Sequence, residues 1–336
     1  MTKKIDQKYI LITGCAGFIG SNFVRYLLKK KIKYKILGLD SLSYASNFNY
    51  IKEFKKDKNF VFFKKDISNI KDLKKIFNTW NIFHVINFAA ETHVDNSIKK
   101  PDIFIKTNII GTFNLLKLCT DKWIYNNKLK RYYSNSKFLQ ISTDEVYGSI
   151  KKGSFSENSN FKPNSPYSAS KASADLLVRS FHETHKLNTL ITNSANNFGP
   201  YQHQEKLIPT VINCLLNKKK IPVYGKGSNI RNWLFVTENN KAIYSVFLKG
   251  KFGNNYNIGS NTELTNYDIV IKICDLFKKI KNSNYDYRKL ISFVEDRKGH
   301  DYRYSLSIKK IIKETKWKPT DNFEDYLKKT IQHYCT

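Results

Sequence analysis

The chain has 336 residues, of which 41% are hydrophobic and 14% aromatic; this predicts one or two globular domains and excludes a disordered chain. No apolar run reaches the roughly 18–20 residues that span a bilayer, and MTKKIDQKYI lacks a signal-peptide core, so we expect a cytoplasmic protein without a membrane segment. The net charge of +30 comes from 58 basic residues, only seven of them Arg, spread without a nucleic-acid-binding motif, so we expect a solvated Lys-rich surface and no nucleic-acid partner.

The first half of the sequence alternates between short apolar runs and stretches of helical spacing. Six runs predict strands: 9–13, 34–39, 60–64, 84–90, 138–142 and 188–194. Helical patterns lie between them, the longest at Ile103–Thr120 and Tyr167–His185. Because the strands are almost entirely apolar and alternate with helices, we expect an α/β fold: a doubly wound parallel sheet of the Rossmann type, with helices on both faces.

The pattern changes after about residue 195, where turn-rich aromatic segments such as IPVYGKGSN and FGNNYNIGSN appear. We therefore predict an NAD-binding domain over 1–195 and a smaller, mainly substrate-binding α/β domain over 196–336. The boundary is soft, because the run 231–236 can form a strand that returns to the main sheet, and we expect a returning segment near 231–260.

A glycine-rich loop, TGCAGFIG, follows the first strand and opens the first helix. Gly14 permits the tight turn, Gly17 lets the backbone approach a pyrophosphate, and Gly20 lets the helix lie close to the sheet. Asp40 ends the second strand, where a carboxylate accepts hydrogen bonds from the adenosine ribose and repels a 2′-phosphate. The alternative is a glycine-rich turn that binds no ligand. The loop, the strand order and the acid together predict instead that NAD is the cofactor. Asp66 and Ile67, at the end of the third strand, are expected near its adenine.

Two further motifs indicate chemistry. In STDEVYG the neighbouring acids Asp144 and Glu145 end the fifth strand, where they either cap a turn or work as an acid–base pair. Tyr167 and Lys171 form YxxxK at the start of a helix, so both side chains share one face. A nearby ammonium favours the tyrosine anion, so Tyr167 can remove a hydroxyl proton as hydride leaves.

The cysteines and histidines indicate no metal site. The five cysteines are scattered without a CxxC pair, and the seven histidines form no HxxxH or HxH pair. This distribution also argues against a disulfide framework. We therefore expect no metal cofactor.

These motifs together resemble the extended short-chain dehydrogenase/reductases, and within them the sugar-nucleotide 4,6-dehydratases that act on dTDP-glucose. The resemblance covers almost the whole chain, through TGCAGFIGSN, LDSLSYASN, FAAETHVDNSI, STDEVYG, SPYSASKASAD, NNFGPYQHQEKLIP and YGKGSNIRNWLFV. It implies a lyase that oxidises C4 of the hexose, eliminates water across C5 and C6, and returns the hydride to C6. It also implies a homodimer formed through Thr107–Thr120 and Tyr167–His185.

The resemblance assigns roles to individual residues. It makes Glu145 the base at C5, Asp144 the acid at the C6 hydroxyl and Thr143 the hydrogen-bond partner of the C4 oxygen, beside Tyr167 and Lys171. In the cofactor site it adds Phe18, Ile19, Ser43, Phe88, Ala89, Ala90, Thr107 and Asn197. In the substrate site it implies Thr92, Thr143, Asn196, Lys206, Leu207, Pro222, Val223, Tyr224, Arg231, Asn266, Arg297 and His300.

Four positions depart from the family pattern. Thr92 stands in place of Ser, Asn96 in place of Arg, Asn232 in place of an acid and Lys298 in place of Pro. None is in the TDE or YxxxK motif, but they leave the nucleotide open, so the alternative substrates are UDP-glucose and UDP-GlcNAc. A C4 epimerase or decarboxylase is a more distant alternative. A third alternative is a basic nucleic-acid-binding protein or scaffold that has the same fold without the activity.

Overall fold

The protein, described here from a computed structural model over residues 7–296 and 299–335, is built on a seven-stranded parallel sheet. The sheet order is β12-β8-β7-β4-β1-β2-β3. Its strands in chain order are β1 (Tyr9–Thr13), β2 (Lys35–Asp40), β3 (Phe60–Lys64), β4 (Ile82–Asn87), β7 (Lys137–Thr143), β8 (Thr189–Ser194) and β12 (Asn254–Ile258). The parallel sheet and the six N-terminal strands predicted from the sequence are confirmed.

Smaller sheets hold the remaining strands of the described chain. They are β5 (Ile124–Tyr125) with β6 (Lys128–Leu129), β10 (Ile221–Tyr224) with β14 (Ile291–Val294), and β11 (Ile230–Phe235) between β9 (Asn196–Phe198) and β13 (Glu263–Thr265). Residues 231–236, which could have formed a strand of the main sheet, do not join it, because β11 pairs with β9 and β13; the main sheet instead takes a strand from elsewhere in the expected range 231–260. The strand that returns is β12, which pairs with β8. The more apolar run of β11 made it the apparent candidate, whereas β12, with three asparagines among its five residues, gave no such signal.

Helices cover both faces of the main sheet. Those of the N-terminal half are α1 (Phe18–Lys29), α2 (Asn49–Lys52), α3 (Ile70–Thr79), α4 (Val94–Lys99), α5 (Pro101–Phe104), α6 (Thr112–Trp123) and α7 (Pro166–His185). Those of the C-terminal half are α8 (Leu207–Leu216), α9 (Val236–Lys249), α10 (Asn266–Ile280), α11 (Lys309–Thr315) and α12 (Phe323–Cys335). No helix within these described ranges is long and apolar enough to cross a membrane.

The helix expected at Ile103–Thr120 is more complex than its sequence pattern suggested. A π-helical segment, Ile105–Gly111, connects α5 to α6. Such wide turns are uncommon and occur often at functional sites. Here the segment buries Asn108, whose side chain accepts from Glu91 N at 2.8 Å and donates to Ser170 Oγ at 2.8 Å. It thereby joins the loop after β4 to α7.

The apolar character of the central strands follows from burial on both faces. In β1, Ile10 and Ile12 belong to one core cluster, whereas Tyr9 and Leu11 belong to another on the opposite face. A third core cluster is formed by residues between 198 and 335. The first cluster also contains residues of α9 and β12 from the second half of the chain. Helices on both faces thus leave the carboxyl edge of the sheet as the place where a cleft can open.

Candidate active site

One continuous cleft lies at the carboxyl edge of the main sheet, and it has two compartments. The first is lined by the glycine loop, the ends of β2, β4 and β7, and the start of α7. The second is lined by β9, β10, β11 and the segment around His300. Thr92, Glu145, Asn196, Asn197 and Lys206 border both compartments. The cleft therefore connects a cofactor-sized groove to a second binding region through Glu145.

The glycine loop has the geometry of a phosphate cradle. Gly14 has φ +65°, and a Cβ there would lie 2.6 Å from the backbone nitrogen of Ala89. A Cβ on Gly20 would overlap the carbonyl oxygen of Gly14. A Cβ on Gly17 would meet only Gly14 O, at 3.4 Å, and Gly17 lines the cleft. Gly17 is also the N-cap of α1 and carries no side-chain cap, so the helix N–H groups are available to an anion.

The Asp40 carboxylate is held at the groove by backbone donors. Its two oxygens accept from Ala16 N at 2.9 Å and from Leu42 N at 2.8 Å. Burial raises its pKa, and these hydrogen bonds oppose that rise. Together with the cradle, this buried acceptor fits the diphosphate and ribose of NAD. The structure places every predicted cofactor residue on this compartment: Gly14, Gly17, Phe18, Ile19, Gly20, Asp40, Ser43, Asp66, Ile67, Phe88, Ala89, Ala90, Thr107, Tyr167, Lys171 and Asn197.

The TDE residues lie where β7 becomes a short 3₁₀ turn, Asp144–Tyr147. Thr143 caps this turn by accepting from Glu145 N at 3.3 Å, and its hydroxyl donates to Asp144 Oδ1 at 3.1 Å. Asp144 is 3% exposed, and its Oδ2 is buried without a hydrogen-bond partner. Burial, followed by the charge of Glu145, raises the pKa of Asp144 to about 8. This rise favours the protonated carboxylic acid, the form that can donate a proton.

Tyr167 and Lys171 project from the first turns of α7. The helix begins with a capping box between Ser165 and Ser168 and has Pro166 in its first turn. Lys171 Nζ donates to the carbonyl of Ile141 at 2.6 Å, and burial lowers the pKa of Lys171 to about 8. Burial and the charge of Glu145 raise the pKa of Tyr167 well above its usual value, while its hydrogen bond to Thr143 opposes them. Forming the tyrosine anion therefore needs positive charge nearby.

Most residues predicted to bind the substrate line the second compartment, but the side chain of Val223 points into the core. Those that line it are Thr92, Asn196, Lys206, Leu207, Pro222, Tyr224, Arg231, Asn266 and His300. In β10 burial alternates, so Pro222 and Tyr224 face outward while Val223, 2% exposed, packs into the third core cluster. Thr143 lines the first compartment. Arg297 lies outside the described residues.

The polar groups of this compartment are set for an anionic ligand. The Arg231 guanidinium is 6% exposed, donates to the carbonyl of Asp301 at 3.0 Å and lies 4.4 Å from the Tyr304 ring. These contacts hold the cation in place while its charge is met by neutral groups. Lys206 Nζ donates to Thr92 O at 3.1 Å. Asn196 Oδ1 is buried without a hydrogen-bond partner, so it can accept from a ligand hydroxyl.

Sequence reasoning missed several lining residues. Glu91, Glu205 and Tyr304 lie on the cleft, and the pKa of Glu91 is raised by burial. Glu91 directly follows the Phe88–Ala90 segment, so its position after a strand end was an available signal. Glu205 and Tyr304 lie in irregular segments, where no periodicity indicates which side chain faces a cleft.

Comparisons with known proteins agree with this geometry. The family model described as GDP-mannose 4,6 dehydratase matches residues 11–330. A Haemophilus influenzae dTDP-glucose 4,6-dehydratase is 42% identical over 331 residues, covering 97% of each chain. The crystal structure of the Streptomyces venezuelae dTDP-glucose 4,6-dehydratase DesIV, with NAD and TYD bound, superposes with a TM-score of 0.88 at 38% identity, covering 97% of each chain.

A structure of Thermotoga maritima UDP-glucose 4-epimerase with UDP-glucose superposes nearly as well. Its TM-score is 0.84, but its identity is only 25%, over 97% of this chain and 98% of that chain. Backbone shape therefore does not separate dehydratases from epimerases, whereas sequence similarity does.

Proposed function

Because this chain belongs to the dTDP-glucose 4,6-dehydratases, within the family that the GDP-mannose 4,6 dehydratase model describes, we propose that five clustered side chains catalyse its reaction: Thr143, Asp144, Glu145, Tyr167 and Lys171. The enzyme is an NAD-dependent hydro-lyase that converts dTDP-glucose to dTDP-4-keto-6-deoxy-glucose. The hexose is oxidised at C4, loses water across C5 and C6 and is reduced at C6, so there is no net redox change.

Bound NAD supplies the hydride acceptor for the first step and the hydride donor for the last. The glycine loop and Asp40 hold its diphosphate and ribose in this proposal. Tyr167 removes the proton of the C4 hydroxyl, and the Lys171 ammonium stabilises the resulting tyrosine anion. Thr143, already hydrogen-bonded to Tyr167 and Asp144, holds the C4 oxygen between them.

The two neighbouring acids have different roles in the elimination of water. The C4 ketone acidifies the C5 proton, which Glu145 removes. Asp144 donates its proton to the departing C6 hydroxyl, which leaves as water. The different burial of the two acids supports this division, since only Asp144 is almost fully enclosed.

In this proposal Arg231, Asn266 and Arg297 bind the nucleotide diphosphate, with His300 nearby, and Lys206 and Leu207 contact the sugar diphosphate region; the role of Arg297 follows from the resemblance alone. Asn196 accepts from a sugar hydroxyl. Tyr224, 41% exposed, offers an aromatic face to the pyrimidine. Thymidine fits this proposal, and UDP-glucose and UDP-GlcNAc remain the alternative substrates.

The observation that carries the proposal is the position of Glu145. It borders both compartments and follows the buried acid Asp144 directly. An epimerase or decarboxylase needs no such acid–base pair, whereas eliminating water needs both members.

The direct test is turnover. We expect the purified protein to convert dTDP-glucose to a product with the alkali-induced absorbance of a 4-keto-6-deoxy sugar, and to convert UDP-glucose and UDP-GlcNAc more slowly. The variant Glu145→Gln is the matched control and yields no such product. No product from any of the three substrates would refute the proposal.

We also propose that the enzyme is a homodimer. Apolar side chains of the π segment, α6 and α7 are exposed on adjacent helices, among them Ile105 at 52%, Ile110 at 45% and Leu176 at 56%. Several large apolar side chains exposed on neighbouring elements are typical of an interface. A second copy of the chain would bury it.

Two further assignments belong to the same proposal. The chain divides into an NAD-binding domain over 1–195 and a mainly substrate-binding domain over 196–336; the separate third core cluster supports this division, and α9 and β12 return to the first domain. A cytoplasmic location agrees with five cysteines that are all free, three of them buried.

A further inference from the structure

One buried carboxylate beside the active site has no role in the reaction described above. Asp175 lies on α7 two turns after Tyr167 and one turn after Lys171, so the three side chains follow one another along one helix face. It is 1% exposed. Burying a carboxylate is costly unless other groups compensate for its charge.

Asp175 is anchored to the strands that carry the catalytic turn. Its Oδ2 accepts from Ser142 Oγ at 2.6 Å and from Asn193 Nδ2 at 3.2 Å. Asn193 Nδ2 also lies 3.4 Å from the carbonyl oxygen of Thr143. Burial raises the pKa of Asp175 to about 6, and the charge of Lys171 and these two hydrogen bonds oppose that rise. Its other oxygen, Oδ1, is buried without a hydrogen-bond partner, so further positive charge nearby stabilises the anion.

The Lys171 ammonium supplies that positive charge, and it is itself a buried charge that a nearby anion stabilises. It is 4% exposed, and its Nζ donates to a neutral carbonyl, that of Ile141. Burial lowers the pKa of Lys171, and Asp175 is the charge that opposes this effect. Without the anion, the buried ammonium loses its proton more easily.

We propose that Asp175 is a positioning residue: its carboxylate, fixed by Ser142 and Asn193, keeps Lys171 protonated and so supports the removal of the substrate proton by Tyr167. This inference rests on the roles proposed above for Tyr167 and Lys171. Asp175 itself acts through Lys171 and on no substrate atom.

Other titratable groups face the same region and set the sign of the expected effects. Glu145, Asp144 and Asp175 each raise the pKa of Tyr167, and Asp175 also raises the pKa of Tyr147 on the turn after β7. Removing Asp175 therefore lowers the pKa of Lys171 and removes one effect that raises the pKa of Tyr167. Activity should then decline at a lower pH on its alkaline side, where Lys171 is lost as a cation.

The variant Asp175→Asn tests this with little change of shape. The Lys171 pKa is read from competitive labelling of amines across pH, with the Lys171 peptide quantified by mass spectrometry, a measurement that needs no turnover. We expect its midpoint to fall by at least about one pH unit, which means about tenfold less protonated lysine above the midpoint. The alkaline limb of the pH profile for the rate of NADH formation should move to lower pH by the same amount.

Three variants separate charge from packing. Ser142→Ala removes one of the donors that stabilise the anion, so the Lys171 midpoint should fall by less than in Asp175→Asn. Asp175→Glu should restore the midpoint by restoring the charge. In a Lys171→Met background, Asp175→Asn should cause no further loss of NADH formation. Should Asp175→Asn not fold, Asp175→Ser replaces it, because the smaller neutral side chain leaves room for water.

An unchanged Lys171 midpoint in Asp175→Asn would overturn the inference even if the rate fell, since Asp175 would then act only through packing. If the unmodified enzyme makes no 4-keto product, the proposed function fails instead. The Lys171 midpoint from amine labelling needs no turnover, so it tests the role of Asp175 separately from the proposed function.

Discussion

Asp144 and Glu145 are adjacent in the chain and chemically similar, yet their surroundings differ. Asp144 is enclosed, with one oxygen lacking any hydrogen-bond partner, whereas Glu145 borders both compartments of the cleft. Burial in a medium of low polarity favours the neutral carboxylic acid. A single sharp turn after β7 thus gives two neighbouring carboxyl groups different surroundings, which supports the acid and base roles proposed for them.

At this scale, two substitutions should stop the reaction at different points. Glu145→Gln removes the base at C5, so NADH still forms on mixing with dTDP-glucose but no 4-keto-6-deoxy product follows. Tyr167→Phe removes the group that takes the hydroxyl proton, so NADH formation itself should be slowed, by roughly 100-fold or more. Stopped-flow absorbance of NADH distinguishes them, and equal loss of NADH formation in both would contradict the assignment.

The first strand–loop–helix unit shows how much of an element can be read from its sequence. Its three glycines were assigned three different tasks, and the structure places them accordingly: a left-handed turn at Gly14, an open approach at Gly17 and close packing at Gly20. The π segment shows the opposite case. Its apolar spacing is that of an ordinary helix, and the wide turn depends on burying Asn108 against Glu91 and Ser170.

Two alanine substitutions in the loop should separate stability from cofactor binding. Gly20→Ala places a Cβ onto the Gly14 carbonyl, so the free energy of unfolding should fall by about 1–3 kcal/mol. Gly17→Ala has space for its Cβ but narrows the phosphate cradle. It should therefore leave the melting temperature nearly unchanged and weaken NAD binding, measured by calorimetry. Equal melting temperatures for both variants would contradict this account.

At the scale of the whole molecule, the exposed apolar side chains of α6, α7 and the π segment predict a dimer. Replacing Ile105 and Leu176 together with Lys should give a monomer in size-exclusion chromatography with light scattering, because a buried charge at the interface is unfavourable. Tyr125, 70% exposed on β5, provides the control: Tyr125→Lys should leave the dimer intact. A monomeric unmodified protein would refute the proposal.

A second property of the whole molecule is its acid stability. His84 on β4 is 2% exposed, with its ring 4.8 Å from Tyr34 and 4.9 Å from both Phe83 and Phe247. Burial lowers the pKa of His84 to about 3 from 6.5. The unfolded chain therefore binds a proton that the folded chain excludes, so this residue makes stability fall as the pH drops from about 6.5 to about 3.

The variant His84→Phe should flatten that pH dependence, measured by urea unfolding at a series of pH values. Phe83→Leu alters the same aromatic cluster without removing a titratable group, so it should lower stability at every pH by a similar amount. An unchanged slope in His84→Phe would show that other groups control the acid transition.

Features that depend on local chain geometry could be predicted from the residues alone. The strand–helix alternation, the glycine loop with Asp40, and the YxxxK face each depend on residues close together in the chain, where backbone geometry sets which side chains meet. The resemblance to known dehydratases added the predicted roles of the TDE residues and the predicted substrate residues, most of which line the second compartment.

How distant segments of the chain meet became clear from the folded structure. It selected β12 rather than β11 as the returning strand, packed Val223 into the third core cluster, and placed the Asp175 carboxylate against Ser142 and Asn193. It also determined which of the two adjacent acids is buried. The physical reason is that burial and charge compensation depend on groups far apart in sequence, and no local pattern of residues records their distance in the folded chain.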